Sequence, residues 1–268
     1  MTERVFEALT EAIRSERPVA LATVLATGES GAVRAGAKRL VAFEDVLGGL
    51  GDDGLDAAVT DDARGMLAQG QTGQRRYGSQ GQRRRDDVTV FIESFTPPPR
   101  MIVFGAIDYA AAVARIGRFL GYRVTVCDAR KLFATPARFP DADEVVVQWP
   151  HRYLADTNID ERTVICVLTH DPKFDVPVLE VALRSPAAYI GAMGSRRTHA
   201  DRLERLREAG LDEADLARLR SPIGLDLGGR TPEETAVSVA AEIIQQRWHG
   251  SGQPLSATSG RIHHEPAG

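Results

Sequence analysis

From Arg100 onward, short β-branched runs alternate with helical segments, and this alternation limits the fold more than any other feature of the chain. Met101-Ile-Val-Phe104, Arg123-Val-Thr-Val-Cys127, Glu144-Val-Val-Val-Gln148, Thr163-Val-Ile-Cys-Val-Leu168 and Ala187-Ala-Tyr-Ile190 read as strands, with a helix from Ala110 to Leu120. Strands joined through helices build a parallel sheet with right-handed crossovers. The order is that of a dinucleotide-binding, Rossmann-like fold of the α/β class, in which ligands meet the carboxyl ends of the strands.

The chain before residue 97 follows another pattern. Val5, Phe6, Leu9, Ala12 and Ile13 recur at helical spacing after Thr2, and Pro18 ends that helix. Strands are expected at 18–26, 37–43, 75–77 and 87–93, with a glycine-rich turn at Gly48–Gly54 leading into a helix that buries Leu55, Val59, Met66 and Leu67. This predicts a small α+β domain over 1–96. Thr96-Pro-Pro-Pro-Arg100 is a stiff, extended linker, because consecutive prolines enter neither a helix nor a central strand. The Rossmann-like domain is expected over 101–250 and a disordered tail, with His263 and His264, over 251–268. Arg75, Arg76, Arg83, Arg84 and Arg85 crowd one hairpin, either as a solvated tip or as a docking patch for an acidic partner or an anionic ligand.

Composition narrows the function classes. A net charge of −4 argues against a dedicated nucleic-acid binder, and the amphipathic start MTERVFEALTEAIRSE is not a signal peptide. No apolar run is long enough to cross a bilayer, so a cytoplasmic protein without stable membrane insertion is expected. Cys127 and Cys166 fall inside expected strands and read as core residues, not as a disulfide or metal site.

Four turns carry the candidate chemistry. Gly105-Ala-Ile-Asp-Tyr-Ala110 supplies the first glycine of a dinucleotide fingerprint, but Ile107 replaces the middle one and Asp108 would face an incoming phosphate. Asp128, ending the second strand of that fold, is placed to accept a ribose hydroxyl. Leu168-Thr-His-Asp-Pro-Lys-Phe-Asp175 puts His170 and Asp171 at the end of the fourth strand, either in a ligand cleft or as caps of the next helix. In Ile190-Gly-Ala-Met-Gly-Ser-Arg-Arg197, Gly191 and Gly194 are expected to turn the backbone tightly. Ser195, Arg196 and Arg197 then open a helix whose free N–H groups favour phosphate or another anion. Gly224 and Asp226 bring a further turn to the same end of the sheet, and Thr231-Pro-Glu-Glu234 is a capping box opening a largely apolar helix.

Taken together, Leu168–Asp175, Tyr189–His199, Ser221–Gly228 and Thr231–Glu234 resemble the XdhC/CoxI family, accessory factors of molybdenum hydroxylases such as xanthine dehydrogenase and aerobic carbon monoxide dehydrogenase. Pro18-Val-Ala-Leu-Ala-Thr-Val, Gly36-Ala-Lys and Glu93-Ser-Phe-Thr-Pro-Pro-Pro-Arg100 extend the similarity to nearly the whole chain. The resemblance implies a protein that binds the molybdenum cofactor as cargo, holds it while a sulfurtransferase installs its sulfido ligand, and helps insert it into an apo-hydroxylase. It also implies a cysteine desulfurase and a second copy of the chain as partners. Two departures stand out: the turn Gly51-Asp-Asp-Gly-Leu-Asp56 lacks the cysteine usual in the family, and Ala106-Ile-Asp-Tyr109 lacks its histidine and fuller glycine turn. The competing expectations are a nicotinamide- or flavin-dependent oxidoreductase and a diverged ligand-binding or docking paralogue.

Overall fold

A computed structural model describes residues 2–28, 33–83, 85–169 and 171–259. The chain divides into two compact units, Met1–Pro97 and Pro98–Gly268.

In the first unit, helix α1 (Thr2–Arg14) is followed by strands β1 (Val19–Thr27), β2 (Lys38–Val41) and β3 (Val46–Gly49), helix α2 (Asp53–Gln69), and strands β4 (Gly73–Tyr77) and β5 (Val88–Phe95). The strands form one antiparallel sheet in the order β3-β2-β1-β5-β4. Alternation in β1 divides the core between two faces: Ala20, Ala22 and Val24 pack with Leu55, Val59 and Leu67 of α2, while Val19 and Leu21 pack with Val5, Leu9 and Ala12 of α1. Phe6 and Ile13, expected on that apolar helix face, are 47% and 49% exposed. Of the glycine-rich stretch expected to turn over Gly48–Gly54, Gly48 and Gly49 instead pair in β3, and the bend into α2 falls at Gly51, with φ 110°. Gly48 has φ 89°, and a Cβ there would stand 2.5 Å from the Lys38 carbonyl oxygen, so the glycine admits the neighbouring strand. Two arginines of the basic hairpin pair locally, Arg83 with Asp62 at 2.7 Å and Arg76 with Asp86 at 3.6 Å. Arg84 lies outside the described residues.

The second unit runs β6 (Arg100–Phe104), α3 (Asp108–Phe119), β7 (Arg123–Cys127), β8 (Glu144–Val146), α4 (Pro150–Ala155), β9 (Val164–Val167), α5 (Pro172–Leu183), β10 (Tyr189–Ala192), α6 (Arg196–Glu208), α7 (Glu213–Ala217), β11 (Leu219–Arg220) and α8 (Pro232–Trp248). All strand pairs are parallel, in the order β11-β10-β9-β6-β7-β8. The chain starts in the middle, builds out to β8, then returns to build the other half from β9, so the order reverses between β6 and β9. Met101, Val103, Val124, Val126 and Cys166 pack under α3 and α8, while Ile102, Phe104, Cys127, Ile165 and Val167 pack under the helices of the opposite face. Burial on both faces explains the unbroken apolar runs read in the sequence. In the segment 251–268, expected to lack structure, Leu255–Ala257 form one 3-10 turn, and 260–268, with His263 and His264, lie outside the described residues. No described helix is long and apolar enough to cross a membrane.

Candidate functional site

Among the described candidate residues of the second unit, Gly105, Asp128, Asp171, Gly194, Ser195, Gly224 and Asp226 lie in loops that follow strands, Arg196 and Arg197 open α6, and Gly191 lies within β10. After β6, Gly105 has φ 105°, and a Cβ on it would stand 2.7 Å from Thr169 Cγ2 and 3.0 Å from the Thr169 backbone nitrogen. This glycine is required because the loop after β9 crosses directly over it. Asp128 is 3% exposed and takes four hydrogen bonds: from the Ala106 N–H at 2.7 Å, and from the Arg130 N–H, Nε and Nη2 at 2.9, 2.9 and 2.7 Å. A carboxylate offers about four lone-pair sites, so these donors occupy the oxygens that the sequence offered to a ribose. Burial opposes the charge on Asp128, but the Arg130 and Ala106 donors outweigh it and hold the carboxyl below its ordinary range. Asp108, read as a phosphate-repelling charge, pairs with Arg138 at 3.3 Å, and Arg138 also donates to the Ala106 carbonyl at 3.2 Å.

The loops after β9, β10 and β11 converge on Arg202, a residue of α6 that no sequence pattern singled out. Its guanidinium is 3% exposed and donates to Asp175 Oδ2 at 2.8 Å, to the Met193 carbonyl at 2.8 Å and to Ser221 Oγ at 3.0 Å. Asp175, also buried, accepts a short hydrogen bond from the Thr169 hydroxyl. One buried ion pair therefore ties together α5, α6 and three strand ends. Asp175 closes the His-Asp-Pro run quoted from the sequence, whereas Arg202 is one arginine among many in a polar helix and leaves no sequence signal. A cleft of about 80 Å³ between α5 and α6 borders this pair.

The glycine-arginine motif divides into two parts. Gly191 is a strand residue of β10, not part of a turn as expected: a Cβ on it would stand 2.6 Å from Ile223 and 2.7 Å from the Tyr189 hydroxyl, so it serves packing beneath the next loop. The turn itself is Met193–Ser195, where Gly194 has φ 149° and lies against Thr198. Ser195 caps α6 by accepting from the Thr198 N–H at 3.1 Å. Arg196 and Arg197 are exposed, and among the described residues neither their side chains nor their backbone N–H groups have a hydrogen-bond partner. His199, one turn into the helix, has a buried Nδ1 without a partner among the described residues; burial and the nearby Arg202 lower its pKa.

Asp171 caps α5 through the Lys173 N–H at 3.0 Å, while His170 lies outside the described residues. Gly224 has φ 100° and presses on Ser238 of α8; its N–H donates to Glu242 at 2.8 Å, and Glu242 also accepts from the Tyr189 hydroxyl. Gly224 is thus a packing residue, and Asp226 is exposed on the same loop. The expected capping box at Thr231 and Glu234 is present.

Both cysteines are buried, Cys127 in β7 and Cys166 in β9, and burial pushes each thiol up to about 12. Neither is a thiolate near neutral pH. An aromatic disulfide reagent at pH 8 is expected to label no thiol in the native protein and two after unfolding; rapid native labelling would show that β7 or β9 is accessible.

The model for the XdhC Rossmann domain matches residues 101–243, more than half of the chain, and that for the XdhC and CoxI family matches residues 12–78. The chain belongs to the XdhC/CoxI family. Its curated relatives include a probable xanthine dehydrogenase component of Bacillus subtilis, 34% identical over 59% of this chain and 46% of that one. The molybdenum cofactor insertion chaperone PaoD of Escherichia coli is 30% identical over 59% of this chain and 43% of its own. The chain thus spans less than half the length of each of these relatives. A crystal structure of a xanthine dehydrogenase from Bacillus halodurans is similar in fold, with a TM-score of 0.50 at 20% identity over 90% of this chain and 95% of that one. Measured against the cysteine-bearing turn usual in XdhC/CoxI proteins, Gly51–Asp56 is here the start of α2, capped by Asp52, with Asp56 paired to Arg39 at 3.1 Å.

Proposed function

We propose that this XdhC/CoxI protein binds the molybdenum cofactor as cargo, holds it for sulfuration, and delivers it to an apo molybdenum hydroxylase of the xanthine dehydrogenase kind. The observation that carries this reading is the start of α6, where two exposed guanidinium groups stand beside two helix-start N–H groups without partners among the described residues. Such a site suits a phosphate: the helix dipole and N–H groups favour the anion, and arginine can grip its oxygens through two parallel hydrogen bonds. Exposure also suits cargo that must leave. Because both thiols are buried and protonated, neither serves as a ligand to molybdenum, and the grip falls on the phosphate and the ring. The kinship with PaoD supports the same reading.

The test is equilibrium binding of molybdenum cofactor to wild type and to Arg196→Ala/Arg197→Ala, with the pterin quantified by fluorescence after oxidation. Each charge-assisted hydrogen bond contributes about 1.5 kcal/mol or more, so the double variant is expected to bind on the order of 100-fold more weakly. Equal binding by both would remove the α6 seat. Failure of wild type to bind, with binding of NAD(H), NADP(H) or a flavin instead, would favour the oxidoreductase reading, which the occupied Asp128 and the Ile107 substitution argue against.

The proposed partners are an apo-hydroxylase, a cysteine desulfurase and a second copy of the chain. Val237, Ile244 and Trp248 recur along one side of α8 and are each about half exposed, as a helix contact between copies requires. Sedimentation velocity is expected to show a dimer that Ile244→Glu converts to monomer. A monomeric wild type would end that part of the proposal.

A further inference from the structure

The rim of the sheet also carries an aromatic cluster that neither the fold nor the phosphate seat accounts for. Trp149, three residues past β8, is 42% exposed. Its indole packs at 5.1 Å and 34° on Phe174 in the first turn of α5, and at 6.0 Å on the ring of His151. The Nδ1 of His151 is buried and has no partner among the described residues. A half-exposed indole supported by a second ring is a flat apolar surface, with the half-buried imidazole of His151 at its edge. In the loop after β7, Arg130 is neutralised by its ion pair with Asp128 and stacks at 4.6 Å over Phe133.

The position matters as much as the chemistry. Phe174 begins α5 and Arg196 begins α6, and these two helices pack side by side at the same end of the sheet. Packed helices lie about 10 Å apart, and the indole stands one ring contact beyond Phe174. The indole, on the α4 side of α5, and the arginine pair at the start of α6 thus flank the N-terminal end of α5.

We infer that Trp149 is a stacking platform for the flat nitrogen heterocycle of the ligand, with Phe174 backing the indole, His151 at its edge and the phosphate arm reaching Arg196 and Arg197. This rests on the cofactor-binding reading above and adds where the ring lies. The heterocycle class follows from the surface: every such ring offers a π-face to an indole and polar edges to a neighbouring imidazole.

The chain has two tryptophans, so Trp248→Phe leaves Trp149 as the only indole reporter. In that protein, molybdenum cofactor released from a denatured molybdenum enzyme is expected to quench the emission, while inorganic pyrophosphate, which lacks a ring, is not. Trp149→Ala is expected to weaken cofactor binding on the order of 10-fold, as loss of one stacked ring does, with pyrophosphate binding unchanged. Trp149→Phe, which keeps a flat ring, should restore most of the affinity and shows whether the alanine variant merely unfolds. If the cofactor binds wild type and Trp149→Ala equally well without quenching, the platform is wrong while the chaperone reading stands. If wild type does not bind it at all, both fall.

Discussion

Arg202→Met is expected to destabilise the Rossmann unit by about 3–5 kcal/mol, the usual cost of removing one partner from a buried ion pair. The substitution leaves the buried Asp175 carboxylate without its guanidinium and frees the Met193 carbonyl and the Ser221 hydroxyl. Combining it with Asp175→Leu should recover a large part of the loss, because no charge is then left buried and unpaired. Urea unfolding followed by tryptophan fluorescence measures this directly: Trp149 and Trp248 both lie in the second unit, so the signal reports that unit alone. A loss below about 1 kcal/mol, the range of exposed ion pairs, would mean that water reaches the pair. Since Arg202 also orders the loop ahead of α6, the single variant should weaken anion binding at Arg196 and Arg197 without touching the anion.

Gly105→Ala is the second large effect. The left-handed backbone alone costs an alanine about 1–2 kcal/mol, and overpacking adds about 1–3 kcal/mol. The new methyl would stand 2.7 Å from Thr169 Cγ2 and 3.0 Å from the Thr169 backbone nitrogen. A total of about 3 kcal/mol is expected in the same urea assay. Thr169→Ser removes the methyl but not the backbone nitrogen, so the Gly105→Ala/Thr169→Ser protein should regain only part of the loss. Full recovery would show that the side chain alone limits the approach. The structural consequence falls on β6 and β9, whose carboxyl ends this contact holds together where the strand order reverses.

These two positions show how differently a site is written into a sequence. Gly105 was legible as a required glycine, because a glycine directly after a parallel strand marks a tight turn. Its reason was not: the sequence offered it as the first glycine of a partial dinucleotide fingerprint, and the structure shows the backbone of Thr169 lying against it. Asp128 was likewise legible as a carboxylate at a strand end, but its oxygens serve Ala106 and Arg130. Gly191 read as part of a turn because it precedes Gly194, yet the strand continues through it, since only a hydrogen leaves room for Ile223. Arg202 was not legible at all, and nor was β11, whose two residues make no apolar run.

The sequence by itself determined the α/β class, the change of pattern at the proline linker, most strands of the parallel sheet and the start of α6 near Ser195. Those features rest on local physics: side-chain periodicity, proline and glycine dihedrals, and the unmet N–H groups of a helix start all act within a few residues. Only the tertiary structure decided which polar groups are already satisfied and which remain open. That distinction depends on side chains such as Arg202 and Asp175, 27 residues apart, or Arg138 and Asp108, 30 apart, meeting across loops. No pattern within a window of one element encodes such a meeting, because it follows from the strand order and from how closely the loops can pack.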